Sequence, residues 1–177
     1  MVALKIRNMV LCALFAALMA VCAWISVPLG SIVFTMQSFA VFLALLTLGG
    51  SRGMAAVLVY LFLGAVGLPV FSGFRGGLGA LLGVTGGYLW GFAASGLVYW
   101  LLIFLLGAKM RIPAVILGIL CCYGCGMLWM AFSQLGGFTE DALVTAFLQG
   151  VLPYLLPDTA KIALAFLLSQ RLKRFVY

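Results

Sequence analysis

The stretch Leu155–Leu168, LLPDTAKIALAFLL, decides how the rest of the chain is read. Its apolar residues make a helix suited to a lipid bilayer, yet Asp158 and Lys161 stand near its start. The whole chain holds only 10 basic and 3 acidic side chains, so charges inside an apolar run are conspicuous. A lipid-facing Lys at depth costs at least about 2.5 kcal/mol. Charges kept at such a position face the interior of a helix bundle and touch something. Three residues apart, Asp158 and Lys161 share one helix face. That face is the candidate functional site.

Composition outward from this helix fixes the class. The chain is 67% hydrophobic and 7% charged, with a mean hydropathy of +1.32. Soluble globular proteins carry about 25% charged residues, so a polytopic membrane protein is expected, with residues 1–177 forming a single membrane domain. The net charge of +7 does not point to nucleic acid, because the basic residues fall at intervals between apolar runs, as membrane topology places them. Cys12, Cys22, Cys121, Cys122 and Cys125 all lie inside apolar helical runs. The chain has no His and no second CxxC, so Cys122-x-x-Cys125 reads as helix packing rather than a redox or zinc motif, and no cofactor or metal is expected. Lys5 and Arg7 precede an apolar run, but Val21 before Cys22 does not suit a lipoprotein site and further spans follow, so no cleaved signal peptide is expected.

Hydropathy predicts an all-α integral membrane protein with six spans, near Met9–Ile25, Met36–Leu48, Met54–Gly67, Gly83–Leu106, Ile112–Phe132 and Pro157–Gln170. The second and last are short, and pair with re-entrant or interfacial backbone covered by protein. Thr139–Leu152 reads as an interfacial helix: Thr139 caps it, Glu140 and Asp141 complement its dipole, and Ala142, Leu143, Ala146 and Phe147 form its apolar face. With both termini cytoplasmic, Lys5, Arg7, Arg52, Lys109, Arg111, Arg171, Lys173 and Arg174 collect inside, leaving Arg75 outside with Glu140 and Asp141. Lys161 precedes Arg171 by ten residues. It therefore sits about 15 Å above the inner boundary, and a cavity reaching the pair opens outward.

Several features face that outer side. Between Gly73 and Gly96 stand Gly73, Gly76, Gly77, Gly79, Gly83, Gly86, Gly87, Gly91 and Gly96, with neither a P-loop nor a dinucleotide fingerprint. Gly91 and Gly96 suit close helix packing in lipid. For Gly73 to Gly79, packing and a loop folded over a ligand remain equally open. Pro28–Thr35 (PLGSIVFT) reads as a turn with hydroxyls running into Gln37, and Leu68–Phe71 (LPVF) breaks the third span and aims an aromatic at the glycine-rich loop. Trp90 suits an interfacial anchor, while Tyr88, beside the glycine pair, is a ligand candidate. On the first helix, Ala13 with Ala17 and Ala16 with Ala20 form a flat strip, either for packing within the chain or for docking a partner subunit.

Phe34-Thr35-Met36-Gln37, Gly67-Leu68-Pro69-Val70-Phe71, Gly83-Val84-Thr85-Gly86-Gly87-Tyr88-Leu89 and Pro157-Asp158-x-x-Lys161 together resemble the BioY family, the biotin-binding S components of energy-coupling-factor (ECF) transporters. The resemblance spans nearly the whole chain in order. Val84 stands where the family usually has Pro, and Pro157 directly precedes Asp158, where a Gly often intervenes. The resemblance implies a six-helix protein of a prokaryotic cell membrane that captures biotin from outside. It also implies association with a transmembrane coupling subunit and two cytosolic ATPase subunits, which use the ATP, and it likens the alanine strip to the S-component docking surface. An S component or carrier for another small vitamin-like anion is the alternative.

The residue types suit biotin on their own chemistry. Asp158 can accept from ureido N–H groups, while Lys161 or Arg75 can neutralise the carboxylate. The N-terminus of the last helix adds a dipole favourable to an anion. Phe34, Phe71 and Tyr88 can wall the ring, with Thr35, Gln37, Gly73, Gly77 and Gly87 completing the expected site. The sequence leaves open which group meets which end, and Asp158 on the ureido ring is the preferred arrangement. An enzyme would need a nucleophile with a base, or a metal site. There is no His, Glu140 and Asp141 lie outside the membrane, and Asp158 is the only carboxylate at depth. A channel would want a polar stripe through the whole membrane, and self-contained carriers often show internal repeats absent here. The remaining competitor makes Asp158–Lys161 a purely structural ion pair.

Overall fold

The computed structural model describes residues 2–29 and 32–176. Among the described residues, eight α-helices follow in chain order: α1 (Val2–Trp24), α2 (Gln37–Leu48), α3 (Gly50–Ala65), α4 (Leu78–Leu81), α5 (Gly86–Leu106), α6 (Arg111–Gln134), α7 (Glu140–Gly150) and α8 (Leu152–Val176). Among the described residues, α1, α5, α6 with the 3-10 turn before it, and α8 are long and apolar enough to cross a membrane, while α2 and α3 are shorter apolar helices.

Helix α2 is apolar all round and therefore belongs in the middle. Every residue in it except Phe39 is buried, and it packs between α8 on one side and α1 and α3 on the other. Helices α5 and α6 form the most extensive pair. Gly91 of α5 meets the backbone of Cys122, and Gly96 meets Met54 of α3, so both serve the close packing expected of them. Arg7 donates to the carbonyl oxygen of Val176 at 2.9 Å, which puts the beginning of α1 and the end of α8 at the same end of the bundle.

Three expectations change. The Pro28–Thr35 segment is not a simple turn. β1 (Ser26–Leu29) and β2 (Ile32–Thr35) pair antiparallel, with Ser26 opposite Thr35 and Val27 opposite Phe34, so the helical fold carries one short two-stranded ribbon. Gly30 and Ser31 lie outside the described residues. The β-branched residues Val27, Val33 and Thr35 favour this extended pairing. The last helix is neither short nor begun at Pro157; it starts at Leu152 and carries Pro157 inside it. Proline at that point leaves unbonded only the carbonyl of Pro153, in the first turn, a small loss so near a helix end. The interfacial helix is present as α7, and the Thr139 hydroxyl accepts from Ala142 N at 3.3 Å. Its inward face is Ala142, Ala146 and Gly150, while Phe147 points outward.

Candidate binding site

Helix α8 buries Tyr154, Asp158, Lys161, Ala165 and Ser169. This spacing of three and four residues defines one face, and it lies against α2. Asp158 and Lys161 are 7% and 6% exposed, so neither charge is left to water. The Lys161 ammonium lies 2.7 Å from Asp158 Oδ1. Ser38, near the start of α2, donates its hydroxyl to the same oxygen at 2.9 Å, and Tyr123 of α6 donates to Oδ2 at 2.8 Å. Three helices thus converge on one carboxylate.

Lys161 is equally well occupied. Besides Asp158, its ammonium donates to the backbone carbonyl of Thr35 at 2.6 Å and to Ser38 Oγ at 3.4 Å, and it sits 3.8 Å from the centroid of the Phe34 ring. An ammonium has three hydrogens, and all three have acceptors here. Lys161 therefore props Asp158 and the end of β2. The acceptor capacity left over in the cluster is on Asp158, chiefly at Oδ2, which receives a single hydrogen bond among the described residues.

The cluster borders a cavity of about 70 Å³. Of the residues expected at a site, Thr35, Gln37, Phe71, Arg75, Tyr88, Asp158 and Lys161 line it. Arg75 is exposed and its Nε donates to the Ser72 carbonyl at 3.1 Å, leaving the guanidinium at the mouth. The Tyr88 hydroxyl donates to the Gly150 carbonyl at 2.6 Å, so Tyr88 offers the cavity its ring. Phe71, buried against Gly64 of α3, packs edge-on to Tyr60 at 5.5 Å. Small-molecule pockets usually span about 300–1,000 Å³, so the cavity is narrow for a ligand site in this structure.

Four expected residues fall elsewhere. Phe34 covers the Lys161 ammonium instead of walling the cavity. Gly73 and Gly77 take positive φ, at 69° and 82°, shaping the loop that carries Arg75. Gly87 faces α6, where any side chain would run into Trp129 Cβ and the Cys125 carbonyl. The N-terminus of the last helix moves as well: α8 starts at Leu152, so its first turn brings Tyr154 rather than Asp158 to the cavity. Ser38, Ser72, Tyr123 and Tyr154 line the cavity without having been expected there. A Tyr at mid-span needs a partner for its hydroxyl, and that was the available signal for Tyr123.

An apolar helical bundle that holds a buried ion pair, with acceptor capacity to spare on its carboxylate, against a cavity defines a class: a membrane-embedded binder of a small ligand. Residues 1–177 match the profile of the BioY family. The chain belongs to that family, and it is a multi-pass membrane protein. It is 39% identical over 173 residues to a protein of Pyrococcus horikoshii named as a probable biotin transporter BioY, covering 96% of this chain and 98% of that one. It is 38% identical over 173 residues to the biotin transporter BioY of Thermotoga maritima, covering 95% and 96%. Its fold is similar to a crystal structure of the S-component for biotin from an ECF-type ABC transporter, with a TM-score of 0.82 over 96% of this chain and 92% of that one, at 22% identity.

Proposed function

We propose that this chain captures biotin from outside the cell and serves in its uptake as the substrate-binding S component of an ECF transporter, in the cell membrane of a prokaryote. The observation that carries the reading is the order of chemistry along the cavity. A carboxylate with spare acceptor capacity lies at the inner end, the rings of Phe71, Tyr88 and Phe92 line the wall, and the guanidinium of Arg75 stands at the mouth. Biotin has the same order reversed in polarity: ureido donors, an apolar fused ring with its alkyl chain, then a carboxylate. Because Lys161 spends its hydrogens inside the protein, Arg75 is the cation that meets the ligand carboxylate, and Asp158 meets the ureido group.

In this reading α2 and α3 complete six spans, both termini are cytoplasmic, and the cavity opens outward from the outer half of the bilayer. The positive-inside distribution of Lys and Arg supports that orientation. The alanine strip divides: Ala16 and Ala20 are buried inside the chain, whereas Ala13 and Ala17 are exposed. Ala13 and Ala17 are therefore the docking surface for the transmembrane coupling subunit, which brings two cytosolic ATPase subunits; the chain itself has no nucleotide motif. The test is uptake of labelled biotin by biotin-requiring cells expressing this chain with and without those subunits, beside their co-purification. Uptake that is saturable, specific for biotin and raised by the subunits is expected. Saturable uptake of another vitamin but not biotin would overturn the substrate. A cysteine at position 158 that reacts only from the cytoplasm would overturn the orientation.

A further inference from the structure

Tyr60 of α3 is fully buried and does not line the cavity, yet its hydroxyl joins two elements that do. It lies 3.1 Å from the carbonyl oxygen of Val70 and is hydrogen-bonded to the side-chain carboxamide of Gln37. A carbonyl oxygen only accepts, so the single phenol hydrogen goes to Val70. The phenol oxygen then has only lone pairs to offer Gln37. Of the two ends of the carboxamide, the NH₂ is therefore the one that can face Tyr60; the opposite placement would set two oxygens against each other.

We propose that Tyr60 is a positioning residue that fixes the Gln37 carboxamide with its oxygen toward the cavity, making Gln37 an acceptor for a ligand N–H. Gln37 lines the cavity, and its side chain has no other hydrogen bond among the described residues. Its backbone is held as well, since Gln37 N donates to Thr35 Oγ1 at 3.3 Å. The next residue, Ser38, bonds Asp158, so Gln37 Oε1 and Asp158 Oδ2 border one cavity as two acceptors. This arrangement selects a ligand with two N–H donors, such as a cyclic urea. A flipped carboxamide would present a donor to that ligand and repel it.

This inference rests on biotin as the ligand, and its test separates the two. Biotin is titrated into the purified full chain and into Tyr60→Phe, Gln37→Leu and the double variant. Losing one buried hydrogen bond should weaken binding about tenfold in each single variant. If Tyr60 acts through Gln37, the double variant should be within about twofold of Gln37→Leu alone. Multiplied losses, or Gln37→Leu binding as tightly as wild type, would overturn the proposal. A second readout needs no ligand: the ¹⁵N side-chain amide signal of Gln37, assigned by its disappearance in Gln37→Leu, should exchange slowly in wild type and quickly in Tyr60→Phe. Equal exchange in both would overturn the proposal whether or not biotin binds, whereas absent biotin binding with the expected exchange would overturn only the choice of ligand.

Discussion

Replacing Asp158 by Asn keeps the shape of the side chain and removes its charge. Three donors now converge on the carboxylate, Lys161 and Ser38 on Oδ1 and Tyr123 on Oδ2. The one oxygen of Asn can keep Lys161 and Ser38, but its NH₂ then meets the Tyr123 hydroxyl, which must turn round to accept. The buried ammonium also loses its counter-charge, and breaking a buried pair this way costs about 3–5 kcal/mol. For a chain of this length that is a fall in Tm of roughly 6–20 °C. Biotin loses one charge-assisted hydrogen bond, about 10- to 150-fold in affinity. The diagnostic variant is the double, Asp158→Asn with Lys161→Met. Removing both charges should restore much of the stability lost in Asp158→Asn, because paired removal avoids an orphaned charge, while biotin binding stays lost. Thermal unfolding followed by tryptophan fluorescence in detergent, with biotin titration of the same samples, reads both quantities. A double variant that regained biotin affinity together with stability would refute the reasoning, since the pair would then be a structural stitch.

Three further outcomes follow from named contacts. Arg75→Gln should weaken biotin about tenfold or more while leaving biotin amide, which lacks the carboxylate, nearly unchanged; equal losses for both ligands in titrations would contradict the placement of the carboxylate at the mouth. Gly87→Val should destabilise the chain by about 1–3 kcal/mol or more of overpacking, read as a lower Tm in thermal unfolding, because the added side chain meets Trp129 and the Cys125 carbonyl. The folded fraction should still bind biotin within about threefold, as one expects of a packing position. Ala17→Leu, on the exposed face of α1, should leave biotin binding in detergent intact and abolish co-purification with the coupling subunit; Ala16→Leu, buried inside the bundle, should instead destabilise the isolated chain.

The core of the site was legible because a charge in an apolar helix is costly wherever it is not answered. Asp158 and Lys161 announce themselves on that ground, and their spacing gives the face that α8 turns to α2. Less visible were their partners. Ser38 is a small hydroxyl in an apolar run, and Tyr123 sits in Cys121-Cys122-Tyr123-Gly124-Cys125, where the cysteines drew the eye. Tyr154 fell outside the expected helix because Pro157 reads as a helix start. In the structure that proline costs only the Pro153 hydrogen bond, so α8 runs on through it. The glycines were the least separable. Gly73 and Gly77 shape a loop by positive φ, while Gly87 makes room between α5 and α6, and nothing in the sequence distinguishes the two uses. The β1–β2 hairpin is eight residues of strand in a helical protein, too short for its alternation to stand out against the apolar background.

The most direct test of biotin capture at the Asp158 cluster is isothermal titration of biotin into the purified chain in detergent, with Asp158→Asn alongside. The account predicts saturable binding at one site per chain, weakened at least about tenfold by loss of the charged acceptor in Asp158→Asn. No binding to the folded wild-type chain, or equal binding to both proteins, would contradict it.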